Sequence, residues 1–156
     1  MKTFGIIALS SVLGAWIAPA QHPDHEMEKR GDHVMGFSHE KVTHHFRLFD
    51  DGGAIEVQAN DPQDDQSRDQ IRMHFGHIAK MFAAGDFKAP MLIHDQTPPG
   101  VEIMARHKHE IQYTYETTDR GARIRITTSN EDARSAVHDF LRFQIKEHQT
   151  GDPLQP

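Results

Sequence analysis

Apolar and polar residues alternate with the period of a β-strand in two stretches of the chain, and each stretch is divided by a turn motif. The first turn lies at residues 50–53 and the second at residues 119–121. The first turn consists of Asp and Gly, and the second consists of Asp, Arg and Gly. Asp and Gly readily supply the positive φ angles of a hairpin turn. The pattern predicts one β-hairpin in each half of the chain.

A helical stripe of apolar residues follows each hairpin, and a glycine ends each stripe. The first stripe consists of Ile71, Phe75, Ile78 and Phe82 before Gly85; the second consists of Val137, Phe140, Leu141, Ile145 and His148 before Gly151. We therefore predict an α+β fold in which two ββα repeats form a four-stranded antiparallel sheet with both helices on one face. The alternative is a chance recurrence of a common supersecondary unit.

The segment between the repeats, residues 86–110, contains three prolines and is predicted to be largely irregular. Residues 91–93 (Met-Leu-Ile) suggest a short strand, and residues 101–106 suggest a short helix. A connection of this length in a small domain is more often functional than idle.

The N-terminus has the features of a signal peptide. An apolar run over residues 4–17 precedes Ala18-Pro19-Ala20, which has the small-x-small form of a cleavage site. We expect residues 1–20 to be removed, which places the mature protein, starting at Gln21, in the periplasm or outside the cell. An uncleaved N-terminal anchor is the alternative, and no stable membrane anchor is expected after cleavage.

Two further boundaries follow from composition. Residues 21–41 are predicted to be a flexible arm rich in His and Met, and residues 42–156 a single α+β domain. Removing Lys2 from 17 basic residues leaves 16 against 23 acidic residues, a charge of −7. This charge argues against a nucleic-acid partner, which requires a basic surface.

The absence of cysteine excludes several kinds of site. A cysteine nucleophile, a thiolate zinc site, an iron–sulfur cluster and a covalently attached haem c all require cysteine. No phosphate-binding or dinucleotide-binding glycine motif is present, so no nucleotide cofactor is expected. The chain is instead rich in histidine, with 13 residues, and copper or zinc is the cofactor that this composition favours.

The arm repeats a His-x-Met motif, first at His25 and Met27 and again at His33 and Met35. An imidazole beside a thioether suits Cu(I), and two such pairs could close around one ion. A solvated tail that is rich in histidine by chance is the alternative.

The domain offers four further candidate metal ligands: His44, His74, His77 and His94. When the two repeats are aligned, His44 corresponds to Tyr113 and His74 corresponds to Phe140. We call such aligned residues mates. Both histidines should therefore point into one core layer, and an imidazole-rich site there would suit Cu(II) or Zn(II). The alternative is that each ring is an amphipathic core residue with one hydrogen bond.

Several short motifs resemble a family of small secreted bacterial proteins of unknown function, and the likeness covers most of the mature chain. They are His44-His45-Phe46, Asp51-Gly52-Gly53, Ile93-His94-Asp95, Pro98-Pro99-Gly100-Val101, residues 140–145 (FLRFQI) and Thr150-Gly151-Asp152. The resemblance implies secretion and assigns no site residue.

The leading hypothesis is thus a periplasmic or secreted metal-binding protein, a copper or zinc carrier or buffer that uses His and Met ligands. One alternative is a metal-dependent or His/Asp-based enzyme that uses His94, Asp95 and the histidines of the first predicted long helix. The other is a non-catalytic module that binds a small molecule or a protein through the exposed sheet or residues 86–100.

Overall fold

The computed structural model describes residues 23–156, so the expected signal peptide and its cleavage at Gln21 lie outside the described residues. The elements in chain order are α1 (Pro23–Met35), a 3-10 turn (His39–Lys41), β1 (Val42–Phe49), β2 (Gly52–Ala59), α2 (Asp65–Ala83), α3 (Lys88–His94), α4 (Val101–Arg106), β3 (Ile111–Thr118), β4 (Gly121–Thr128) and α5 (Glu131–Glu147). No helix of this described part is long and apolar enough to cross a membrane.

The four strands form one antiparallel sheet in the order β1-β2-β4-β3, which confirms the predicted α+β fold. Helices α2 and α5 both pack on the sheet. The predicted apolar stripes are buried beneath them: Ile71, Phe75, Ile78 and Phe82 in α2, and Val137, Phe140, Leu141 and Ile145 in α5. The opposite face of the sheet carries polar side chains such as Arg123, whose guanidinium pairs with Glu116.

An internal two-fold relation runs through the centre of the sheet. Ile55 of β2 pairs with Ile124 of β4, and these are the two residues that the repeat makes equivalent. The pairs on either side exchange under the same operation: Gly53 with Ile126, and Val57 with Ala122. Each helix then packs mainly on the hairpin of the other repeat, α2 on β3 and β4, and α5 on β1 and β2.

Side-chain caps start both long helices, and left-handed residues follow their ends. Asp64 accepts a hydrogen bond from the Ser67 amide at 2.9 Å, and Asn130 accepts one from the Ala133 amide at 3.0 Å. These bonds satisfy amides that have no partner within the helix. Gly85 follows the C-cap of α2 with a φ of 78°, as predicted, whereas the residue in the same place after α5 is Gln149, with a φ of 50°, and Gly151 lies two residues further on.

The N-terminal segment differs from the irregular arm that its polarity predicts, because residues 23–35 form helix α1. This helix packs against α3, where Arg30 Nε donates to the Ile93 carbonyl at 2.9 Å. Met27 is buried, and Met35 is partly buried against the core. Apolar residues eight positions apart lie near one helical face, but the charged residues between them conceal this stripe in the sequence.

The connection between the repeats is more ordered than predicted. The short helix expected at residues 101–106 is confirmed, whereas the strand expected at residues 91–93 is wrong, because these residues belong to α3. In this helix Ile93 is buried and Leu92 is 62% exposed. A three-residue apolar run fits either a helix or a strand, and only the packing of α3 against α1 decides between them.

Candidate functional site

A small cavity of about 70 Å³ lies between the sheet and the helices, and we call it the histidine cavity. Four histidines from four parts of the fold line it: His44 of β1, His74 of α2, His94 of α3, and His148 directly after α5. Met35 and Gln144 line it as well, together with apolar core residues. No Asp, Glu, Lys or Arg of the described chain is among its lining residues.

Three of these rings are in close contact. The His148 ring centroid lies 5.3 Å from that of His44, with the two planes 17° apart, so the rings are stacked. It lies 5.1 Å from the centroid of His94, at an interplanar angle of 85°. The His74 ring stands edge-on to Phe37 at 5.7 Å. His148 is therefore the central ring of the group.

His94 is the most completely buried of the four, with a side chain only 1% exposed. Its Nε2 lies 2.9 Å from Gln144 Oε1. In the tautomer that donates from Nε2 to this oxygen, Nδ1 carries a lone pair. Nδ1 has no hydrogen-bond partner, and Gln144 Nε2 has none either. Glu147 Oε2 is the nearby carboxylate, 3.9 Å from His94 Nδ1.

Burial keeps the rings uncharged. Desolvation, reinforced by the neighbouring histidines, lowers the pKa of His44 from 6.5 to about 4 and the pKa of His148 to about 3. The same two causes lower the pKa of His74 to about 4. Desolvation also lowers the pKa of His94, although Gln144 and Glu147 oppose the shift. At neutral pH the cavity therefore presents neutral imidazoles, each with a free lone pair.

The internal symmetry shows that the fold does not require histidines at these positions. Aligning Gly85 with Gly151 makes His148 the mate of Phe82, and the mate of His44 is Tyr113. Phe82 and Tyr113 also contact each other, with ring centroids 5.8 Å apart. A stacked pair of histidines thus occupies one half of the molecule where the other half has an aromatic contact.

Two more polar residues of the cavity also have apolar mates in the other repeat. The alignment of the helices pairs Gln144 with Ile78, and His74 with Phe140. Ile78 and Phe140 are buried apolar residues. Four polar cavity residues thus have largely hydrocarbon mates in the other repeat. They are His44, His74, Gln144 and His148, and their mates are Tyr113, Phe140, Ile78 and Phe82. Since packing alone is satisfied by such residues, the polar set points to binding or chemistry.

A larger groove opens beside the cavity, with a volume of about 480 Å³. It runs under α1, and we call it the α1 groove. It shares Met35, His44, Ile93 and His148 with the histidine cavity. Met27, Glu28 and Glu147 also line it. His44 and His148 therefore border both the histidine cavity and the α1 groove.

The structure distributes the eight predicted ligands unevenly. Met35, His44, His74 and His94 line the histidine cavity, and Met27 lines the α1 groove. His33 and His77 are exposed and line neither of them, and the structure does not describe the side chain of His25.

Two of the predicted arrangements do not form. His77 is near enough to His74 to influence its pKa but does not line the cavity, and His44, His74 and His77 are not placed to hold one metal ion. Met27 and Met35 are eight residues apart on one helix, which separates their Cα atoms by about 12 Å. Two His-x-Met pairs on α1 therefore cannot close around one ion while the helix is intact.

His148 and Gln144 are the two residues of the cavity that sequence reasoning missed. His148 was assigned to the apolar stripe of the second helix, where it reads as one more core position. The alignment of the two helices could have identified both residues. In that alignment His148 corresponds to a core phenylalanine, and Gln144 corresponds to a core isoleucine.

Within the described residues, no three His, Asp or Glu side chains are already placed to hold a metal ion. No protein-family model, curated protein or solved structure matches the chain. The function must therefore be inferred from the chemistry of the cavity.

Proposed function

We propose that the protein is a periplasmic or secreted metal-binding protein that holds Cu(I) in the histidine cavity. The observation that supports this proposal is the lining of the cavity. Four neutral imidazoles and the thioether of Met35 surround one space that no charged side chain of the described chain lines. Imidazole and thioether are the ligands that Cu(I) prefers among protein side chains that contain no thiol.

The cavity lining itself supplies no negative charge, and the carboxylate of Glu147 lies 3.9 Å from His94 Nδ1. A buried ion without a counter-charge is costly, and the cost rises steeply with the charge of the ion. With Glu147 offsetting one charge, Zn(II) or Cu(II) among the neutral ligands would still leave one positive charge uncompensated, whereas Cu(I) would leave none. We therefore expect the cavity to bind Cu(I) far more tightly than Zn(II), in contrast to the ion that histidines alone suggest.

His94 is the ligand that is best prepared. Metal-binding histidines usually donate their second ring N–H to a fixed acceptor, which sets the tautomer and the ring orientation. Gln144 Oε1 is such an acceptor for His94 Nε2, at 2.9 Å. The ion would bind at Nδ1, with His148 as the neighbouring ligand. His44 and His148 are stacked, so one of them must rotate before both can reach the same ion.

The test is a titration of Cu(I) against a competing chelator at neutral pH. The variant His44→Tyr/His148→Phe carries the residues that the other repeat has at these positions, so it should fold. It should bind Cu(I) roughly 100-fold more weakly, as the loss of ligands predicts. A matched control replaces the exposed His77 and His109 with Tyr and Phe, and should bind like the wild type.

Two results would contradict the proposal. One is a wild-type affinity for Cu(I) no greater than that of a generic histidine-rich peptide, and the other is an unchanged affinity in the folded double variant. Circular dichroism of each variant separates the loss of ligands from the loss of the fold.

Export is a separate part of the proposal, and it rests on residues 1–20 alone. Intact-mass analysis of the protein recovered from the periplasm or the medium should give a chain that starts at Gln21. Retention of Met1 in the exported protein would contradict the cleavage site.

Binding of a small organic molecule is a second candidate function, and the α1 groove favours it. Its volume of about 480 Å³ falls in the range of small-molecule sites, and it mixes apolar residues with the carboxylate of Glu147. A ligand-dependent rise in the melting temperature of the metal-free protein would support this function. The rise should persist in the variant that has lost Cu(I).

A further inference from the structure

The sheet has two edge strands, β1 and β3, and the two edges differ in how they are covered. On β1, the Phe46 amide points away from β2 and donates to Asp152 Oδ2 at 2.9 Å. Asp152 Oδ1 lies 3.1 Å from His45 Nδ1, which fixes the C-terminal segment along this strand. A bare strand edge is a template for another strand, and proteins usually cover or block it. The C-terminal segment therefore blocks pairing at the β1 edge.

The equivalent contact is missing from β3. The mate of Phe46 is Tyr115, and the mate of Asp152 is Asp86. Asp86 does not reach the strand, because its Oδ1 accepts from the amide of Lys88 at 3.0 Å. Phe46 is 3% exposed, whereas Tyr115 is 37% exposed. The symmetry of the fold is thus broken at this edge, which stays open at Tyr115.

The backbone of β3 presents a regular row of hydrogen-bonding groups at its outer edge. A two-residue loop joins Thr118 to Gly121, so from there every second residue of β3 bonds to β4 and the residues between point outward. The amide of Phe46 points outward on β1 in the same way. Within residues 23–156, no hydrogen bond is made by the outward backbone groups of Ile111, Tyr113, Tyr115 and Thr117.

Strand β3 also lacks the features that usually prevent strands from pairing. It has eight residues in unbroken register with β4, and it contains no proline, glycine or lysine. Its one charged residue is Glu116, which is already paired with Arg123 Nε at 2.9 Å. Such a long and regular edge is suited to accept another strand.

We propose that β3 pairs in antiparallel orientation with β3 of a second copy of the chain, with a two-fold axis at Thr114. About eight backbone hydrogen bonds would close this ladder. The strand is self-complementary in this register: Tyr113 faces Tyr115 of the second copy, and Gln112 faces Glu116 of the second copy. These are an aromatic pair and a pair without like charges, and both favour strand pairing. The dimer is independent of any ligand in the histidine cavity.

The helix layer continues across the same axis. Helix α2 packs on both β3 and β4, so its axis lies about half a strand spacing inside β3. Strands in a sheet are about 4.8 Å apart, which places the two copies of α2 about 10 Å from each other. Helices pack at about 8–10 Å. The joined sheet is therefore covered by helices without a gap or a clash at the axis.

The molar mass of the exported protein in solution tests this proposal. Sedimentation equilibrium at a series of concentrations should show a dimer that dissociates on dilution. Thr114→Lys places two like charges opposite each other at the axis and should raise the dissociation constant about fivefold. Thr117→Pro removes an outward N–H and leaves the bonds to β4 intact, and should give a monomer.

Mixing two variants provides a control for the position of the axis. Thr114→Lys and Thr114→Asp should each associate weakly, and a mixture of them should associate more tightly than either alone, since opposite charges then face each other. Thr43→Lys is the matched control, because Thr43 is an exposed threonine on β1. It should dimerise like the wild type. Circular dichroism checks that each variant is folded.

Three results would overturn the proposal. One is a wild-type protein that is monomeric at every concentration, and another is a folded Thr114→Lys variant that dimerises as tightly as the wild type. The third is a monomer that binds an added extended peptide along residues 111–117, seen as changes in the amide NMR signals there. This last result would assign the edge to a peptide partner in place of a second copy.

Discussion

The two halves of this molecule share one scaffold and differ in what they bury. Where α2 covers the hairpin of the second repeat, Phe82 packs against Tyr113. Where α5 covers the hairpin of the first repeat, His148 stacks on His44. The two halves have the same strand pairing and the same placement of a helix on a hairpin. The scaffold therefore does not explain why one half buries two aromatic residues and the other buries two histidines.

Elements outside the repeats add to this difference. Helix α3 brings His94 and helix α1 brings Met35 to the half that contains the stacked histidines. The repeated fold thus supplies two equivalent places for a buried pair, and only one of them receives an additional imidazole and a thioether. The comparison teaches that the function of this protein should be sought where its symmetry is broken.

The largest expected effect tests what the two halves share. Phe75 and Leu141 are equivalent buried residues of α2 and α5, and Phe75→Ala and Leu141→Ala should each cost about 2–5 kcal/mol of stability. Urea denaturation measures the loss. Met73→Ala is the control, because Met73 is 74% exposed, and should stay within about 0.5 kcal/mol. Losses below about 1 kcal/mol at both core positions would contradict the shared core.

A second effect should separate the halves by their response to acid. The rings of His44, His74 and His148 bind protons near pH 6.5 when unfolded but only near pH 3–4 when folded. Between these values the unfolded state holds more protons, so stability falls as pH decreases and is constant above about pH 7. Each ring contributes at most about 1.4 kcal/mol per pH unit.

Metal-free protein denatured with urea at several values between pH 7 and pH 4.5 gives this slope. The variant His44→Tyr/His148→Phe removes two of the titrating rings and should lose a large part of the dependence. The exposed pair His77 and His109 provides the control for two histidine substitutions outside the cavity. Equal slopes in all three proteins would mean that the buried rings titrate normally.

The smallest effect concerns the added helix. Arg30 Nε donates to the Ile93 carbonyl and joins α1 to α3. Arg30→Ala should cost about 1 kcal/mol and should raise amide hydrogen exchange in α1 while α2 and α5 keep their protection. Lys29→Ala is the control, because its partner is Glu26 on the same helix and the pair is exposed. Unchanged exchange in α1 would show that this bond does not hold the helix over the groove.

The sequence predicts the repeats well because their signals are local. Alternation marks the strands, helical spacing marks the stripes of α2 and α5, and a glycine marks the end of α2, whereas the left-handed residue after α5 is Gln149. The same signals fail for α1, where charged residues dilute the apolar stripe, and at residues 91–93, where packing chooses between helix and strand. His44 and His74 could be flagged because they replace the residues of a recognised repeat. His148 lies at the last position of its apolar stripe, so the sequence pattern predicts it to be one more core residue.

The crossed helices have a consequence for how the chain folds. Because α2 packs on β3 and β4, and α5 packs on β1 and β2, neither repeat can bury its own apolar surface. The central contact of β2 with β4 joins residues such as Ile55 and Ile124, which are far apart in the chain. The chain loses the entropy of closing this long loop before the packing of the helices can stabilise it. Topologies with such long-range contacts fold slowly. The two halves, made as separate chains, should therefore remain unfolded alone and gain structure only when they are mixed.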